Sequence, residues 1–217
     1  MNRRQFLAAG GHAVSVVPLA SLTSLTSLAS LTSLTMLGAC TTTGPANAAD
    51  AADAAEKNAR LRRELDAGVD AALARLYGTV QGSRELVGKS SAVLVFPEVM
   101  GAAFGVGGEY GRGALRAGGR SVGYFSTTAG SLGFQIGAQS RAIFYAFMTQ
   151  GALARFKRSS GWKAGADATV ALVKMGVNGQ IDTATAVNPI EAFVLTNAGL
   201  MAGASLEGSK VSRLYLE

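Results

Sequence analysis

The chain has 217 residues, a formal charge of +6, and only one histidine and one cysteine. Such an inventory excludes most catalytic triads and any histidine- or cysteine-rich metal centre before a motif is sought. The basic excess suits an anionic surface but is too mild to single out nucleic acid.

The first element in chain order, residues 1–39, reads as an export signal rather than as part of a fold. Arg3 and Arg4 form a short positive start, and an uncharged stretch over residues 6–39 follows, broken only by His12 and Pro18. It closes on Leu37-Gly38-Ala39-Cys40, a lipobox in which a branched apolar residue and two small ones precede the cysteine that takes the lipid. Residues 21–35 repeat Ser-Leu-(Thr/Ala) five times, which makes a weak membrane span but an acceptable signal core. Asn2-Arg3-Arg4-Gln5-Phe6-Leu7 resembles a twin-arginine export signal, with Asn2 where Ser or Thr is preferred, so ordinary Sec export stays open. Thr41, rather than Asp, after the lipidated Cys40 favours the outer membrane, lipid-anchored and facing the periplasm.

Cleavage before Cys40 discards His12, and acylation uses up the only thiol. The remaining chain therefore holds neither Ser-His-Asp nor Cys-His machinery, no disulfide, and no His- or Cys-ligated metal. Carboxylate-pair hydrolysis survives formally, but Glu98, Glu109, Asp167, Asp182 and Glu191 form no recognisable spacing. The expectation is a protein that is not an enzyme and takes neither cofactor nor metal. Loss of Arg3 and Arg4 lowers the charge to +4, still basic.

Residues 40–57 read as the lipidated cysteine and a flexible tether, and residues 58–217 as one domain. The first solid element is an amphipathic helix over residues 54–77. At 100° per residue, Leu61, Leu65, Val69, Ala72, Leu73 and Leu76 share a stripe about 120° wide. That stripe either packs on the domain or lies in a lipid interface. Residues 92–96 form a buried-type strand ended by Pro97. Residues 101–137 hold 12 glycines among aromatic and β-branched residues, which reads as curved strand. Gly118-Gly119 is a two-residue hairpin turn. A strand over 142–148 precedes a helix over 150–158 capped by Thr149, and 167–174, 192–196 and 200–206 complete the strands. The fold class is α+β weighted to β: a curved antiparallel sheet assembly, sandwich or barrel-like, with an N-terminal amphipathic helix and one or two short helices.

Gly105-Val106-Gly107-Gly108 lacks nucleotide-loop spacing, and Gly130-Ser131-Leu132-Gly133 is no nucleophile elbow. Four segments instead carry a resemblance. They are Lys89-Ser90-Ser91-Ala92-Val93-Leu94-Val95-Phe96-Pro97, Phe104-Gly105-Val106-Gly107-Gly108-Glu109-Tyr110-Gly111, Gly133-Phe134-Gln135-Ile136-Gly137-Ala138, and Gly199-Leu200-Met201-Ala202-Gly203-Ala204-Ser205-Leu206-Glu207-Gly208. Residues 83–214 thereby resemble the SYLF-domain family of lipid-binding modules. One departure is Ser140-Arg141, where many relatives carry an acidic residue. The resemblance implies binding of anionic phospholipid through a basic surface and the N-terminal helix, and implies no catalytic residue.

Three basic groups could meet phosphates. Lys57, Arg60, Arg63 and Arg75, with Arg62 at the stripe's edge, lie on the first helix, where a solvated face is the plainer explanation. Arg155, Lys157 and Arg158 lie near Trp162 and Lys163, and Trp162 is either an interfacial anchor or core. Arg112, Arg116 and Arg120 surround the hairpin, with Arg112 and Arg116 on one strand face. The partners to expect are an anionic phospholipid or membrane surface, or alternatively an envelope protein for which this lipoprotein acts as a scaffold through its curved sheet.

Overall fold

Pro45 opens the first element, a helix α1 over Pro45–Thr79. A proline is tolerated in the first turn, where its missing N–H has no intrahelical partner to lose. The computed structural model describes residues 45–104, 106–132, 137–173, 181, 188–201 and 205–216. The export signal and Cys40 lie outside these residues. The chain divides into two compact units, and every described element lies in the second, Thr42–Glu217, which holds both apolar cores.

The helix starts nine residues before the expected 54, so residues 45–57 are helical rather than a flexible tether. The reason is propensity without burial. Residues 48–57 are exposed, yet alanine, the best helix former, fills six of these ten positions. Further along, Leu65, Val69, Ala72 and Leu76 are buried, so this part of the stripe is core and not membrane-facing. A short unexpected helix, α2 over Ser83–Lys89, follows, with the buried Ser83 hydroxyl donating to the Val80 carbonyl at 2.6 Å.

Among the described residues nine strands form one sheet: β1 Ala92–Phe104, β2 Val106–Ala117, β3 Arg120–Leu132, β4 Gly137–Phe147, β5 Trp162–Lys163, β6 Ala171–Leu172, β7 Ile190–Thr196, β8 Gly199–Leu200 and β9 Lys210–Leu214. Helix α3, Gln150–Arg158, sits between β4 and β5, and the Thr149 side chain accepts from Ala152 N–H as expected. The spatial order is β5-β9-β3-β2-β1-β4-β7-β6, with β8 on β7. Neighbours are antiparallel except β6 and β7, which are parallel. The sheet curls strongly into a half-barrel, in keeping with the expected fold class.

Two expectations about strands need correcting. Pro97 does not end β1, which runs 13 residues. Lacking an N–H, Pro97 instead sits in a bulge, and the register slips between Val95 and Glu98 against β2 and between Phe96 and Val99 against β4. Of the strand expected over 200–206, Leu200 lies in β8, Met201, Ser205 and Leu206 are not in strands, and 202–204 lie outside the described residues, while β5, two residues long, is too short for periodicity to reveal. Gly118 and Gly119 make the β2–β3 turn with φ of +57° and +78°, the doubly positive pair that a twisted hairpin requires.

The sheet is buried on both faces. On one side Val93, Val95, Phe144 and Phe193 pack with Val69 and Leu76 of α1. On the other, Leu94, Phe96, Ile143 and Tyr145 pack with Phe156 of α3 and with Trp162. Double burial explains why β1, β4 and β7 read as continuous apolar runs.

Burial raises the pKa of Tyr145 far above its usual value, against the opposing pull of Ser209 and Arg141. Tyr124 is raised too, first by burial and then by Asp66, whose carboxylate accepts its hydroxyl at 3.0 Å. A raised folded-state pKa means the unfolded chain releases these protons first. Stability should then hold up to about pH 10, the ordinary tyrosine pKa, and fall above it. Urea melts against pH should show this fall, and Tyr145→Phe should make it shallower.

Candidate functional site

The cations on α1 do not converge. Lys57, Arg60, Arg63 and Arg75 are all exposed, but Lys57 and Arg75 are 18 residues apart, about 27 Å along a helix. Arg60 pairs with Glu64 at 2.8 Å on the same helix. Arg62 is half-buried, and its guanidinium donates to the Leu216 carbonyl, fastening α1 to the chain beyond β9.

The hairpin group also separates. Arg116 reaches α1, where it pairs with Asp70 and donates to the Asp66 carbonyl at 3.2 Å. It is a strut between sheet and helix, not part of a solvated tip. Asp66 completes the strut by accepting from Ser121 at 2.6 Å. Arg112, on the same face as Arg116, lines a groove of about 660 Å³ with Leu61, Leu65, Arg75, Met100 and Tyr110.

The third group is divided between the two faces of the sheet. Helix α3 buries Ala152, Leu153 and Phe156 and leaves Arg155, Lys157 and Arg158 exposed in its last turns. Cations at a helix C-terminus are favoured by the helix dipole, so this placement costs nothing locally. Trp162 is a correction to the candidate set. At 3% exposure it is core, stacked edge-on against Tyr145 and Phe156 at 5.5 and 5.7 Å, and it cannot act as an interfacial anchor. Its burial turns the next residue, Lys163, outward.

Two further cations, missed by reading along the chain, come from β9. β5 pairs with β9, setting Lys163 directly opposite Lys210 and Trp162 opposite Val211. The Lys210 stem also runs past Gly161, on the link from α3. Arg213 stands opposite Phe125 and covers its ring at 5.5 Å. Alternation in residues 210–214 hints at a strand, but nothing local says that β5 is its neighbour. Lys163 and Lys210 thus share the sheet face on the α1 side, whereas Arg213, opposite Phe125, stands on the face that α3 packs against with Arg155, Lys157 and Arg158. None of them takes part in the ion pairs found among the described residues. The nearby Asp167 carboxylate accepts the main-chain N–H of Lys163 at 2.6 Å.

Carboxylates elsewhere have structural partners. Glu109 pairs with Arg141, the residue that stands where many relatives are acidic. Glu191 is buried and accepts from Asn188 at 3.0 Å, Glu98 accepts from Ser140 at 3.2 Å, and Asp182 lies outside the described residues. Among the described residues no cluster of three metal-type ligands occurs, and no helix is long and apolar enough to cross a membrane.

Residues 128–214 match the family model Ysc84, described as Las17-binding protein actin regulator. This segment is therefore similar to the Ysc84 (SYLF) domain family. No curated protein matches the chain. The matched segment starts near the end of β3 and ends with β9, so it contains Arg155, Lys157, Arg158, Lys163, Lys210 and Arg213. It leaves out α1, β1 and β2, whose Lys89–Pro97 and Phe104–Gly111 stretches carried half of the expected resemblance.

Proposed function

We propose that the protein is a lipoprotein, acylated at Cys40 and held at the outer membrane facing the periplasm, whose SYLF domain binds anionic phospholipid without catalysis. The observation that supports this reading best is the opposed pair Lys163 and Lys210 on β5 and β9, exposed on one sheet face and in none of the ion pairs found among the described residues. Opposed lysines such as Lys163 and Lys210 repel one another across a strand pair, and an anionic headgroup between them relieves that cost. The SYLF family is compatible with lipid binding.

Each lysine or arginine near an anionic bilayer contributes about 1 kcal/mol, within a Debye length of about 8 Å at physiological salt. Acyl chains on Cys40 would contribute far more to anchoring, so the basic surface serves to orient the domain or to select a lipid. The unit Thr42–Glu217 should co-sediment with vesicles containing phosphatidylglycerol in a salt-dependent way. Lys163→Gln with Lys210→Gln should weaken binding by about fivefold per charge. Equal binding to neutral phosphatidylcholine vesicles, or none to either, would sink the reading.

A second reading takes its support from the family description, which names Las17 binding and actin regulation. On that reading the domain is a scaffold that holds an envelope protein against its curved sheet. A partner cross-linked through the sheet after lipid is removed, together with absent vesicle binding, would favour it.

A further inference from the structure

The strand register lines up an exposed row across six strands. Met100 of β1 stands opposite Tyr110 of β2 and Ser140 of β4, and Tyr110 stands opposite Thr128 of β3. Thr128 in turn is opposite Lys210 of β9, and Lys210 is opposite Lys163 of β5. Directly opposed residues share a sheet face, so the row lies wholly on the side that α1 packs against. All six residues are exposed, Met100 at 58% and Tyr110 at 50%. Five strand-to-strand steps make it about 24 Å long.

Charge stops at this row. On the α1 side of it, the preceding register positions are Glu98 and Arg112. Toward the strand ends, residues 99–108 and 126–140 contain no charged residue. The register carries the same face on through Ala102, Gly108 and Gly130, where nothing larger than a methyl group stands. Glu109 and Arg141 belong to the opposite face and neutralise one another there. One end of the sheet is therefore uncharged over four strands, and two lysines border it.

The geometry points to this sheet end as the part of the domain that enters an anionic bilayer, with Met100 and Tyr110 in the interface and Lys163 and Lys210 at the lipid phosphates. This inference rests on the lipid reading above and adds the docking face. Charge complementarity names the occupant. A tyrosine and long-stemmed lysines are side chains that keep a polar tip at headgroup level while their apolar parts go deeper. The basic residues of α3, which packs on the other face of the sheet, take no part in this contact.

Vesicles of phosphatidylethanolamine with phosphatidylglycerol, offered to the unit Thr42–Glu217, test the face. Met100→Glu with Tyr110→Glu should weaken binding about tenfold, because apolar contact is lost and like charge is gained. Val122→Glu is the control. Val122 is an equally exposed apolar residue of β3, at 45%, beside the Gly118-Gly119 turn at the far end of the sheet. It should bind as the unaltered unit does, and an equal loss in both variants would overturn the assignment. A Met100→Trp variant covers the case in which the double variant fails to fold. Brominated acyl chains should quench the introduced indole, while the buried Trp162 of the unaltered unit supplies an unquenched blank. Salt-dependent vesicle binding with an unquenched indole would reject this face and leave the lipid reading standing. Absence of any vesicle binding would reject both.

Discussion

Gly113→Ala should cost the fold about 3 kcal/mol or more, among the largest losses any single methyl group can cause here. A Cβ at Gly113 would stand 1.9 Å from the Val95 carbonyl oxygen and 2.9 Å from Phe96 Cα. Both are backbone atoms, so no rotamer change relieves the clash. The cause lies in the bulge. Register passes from Val95–Ala114 to Glu98–Arg112, leaving Phe96 and Pro97 to share the single position opposite Gly113. The doubled strand crowds its neighbour, and only a residue without a side chain fits. Gly111→Ala should behave similarly, with contacts of 2.7 Å to Val99 Cγ2 and 2.8 Å to the Glu98 carbonyl. At Gly108 the nearest atom is 4.0 Å away, so Gly108→Ala should be neutral or raise stability by about 0.5 kcal/mol. Urea denaturation of the three variants checks the series, and an unaltered midpoint for Gly113→Ala would contradict the bulge geometry.

Phe156→Ala should cost about 3–5 kcal/mol. The ring is 2% exposed and meets Phe147 at 4.9 Å, Phe125 at 5.0 Å and Trp162 at 5.7 Å. It is the main apolar anchor of a nine-residue helix that buries only Ala152 and Leu153 besides. Loss of the ring opens a cavity beside Trp162 and loosens the helix that presents Arg155, Lys157 and Arg158. Two readouts should move together: the urea midpoint falls, and Trp162 emission shifts to the red as water gains access. A lowered midpoint with unchanged emission would mean that α3 stays seated and that only packing energy is lost.

Features that depend on a few neighbouring residues were legible in the chain. Thr149 caps α3 because its oxygen can reach an N–H three residues on. Gly118-Gly119 turns the hairpin because both positions need positive φ. The apolar runs of β1 and β4 could be identified as strands from composition, although their extent could not. Pro97 looked like a strand end because proline breaks a ladder, yet a bulge absorbs it without ending the strand. Residues 45–57 looked like tether for want of any apolar face, although alanine content alone carries the helix through them.

The basic site was half legible. Arg155, Lys157, Arg158 and Lys163 are neighbours in the chain, so a local reading finds them. Lys210 and Arg213 come some fifty residues later and join only through the pairing of β9 with β5 and β3. The same pairing sets Lys163 against Lys210 and extends their row to Tyr110 and Met100.

By itself the sequence determined the class of fold, the turn and cap chemistry, the scarcity of histidine and cysteine, and the likeness to SYLF domains. Those follow from side-chain identity and from hydrogen bonds closed within a few residues. Only the tertiary structure decided whether Trp162 and the stripe of α1 face a core or a membrane, because both environments are apolar and favour the same residues. It also decided which cations are spent on struts, as Arg116 and Arg62 are, and which are brought side by side, as Lys163 and Lys210 are. That outcome depends on partners brought together from distant parts of the chain, as Arg116 finds Asp70 and Lys163 finds Lys210.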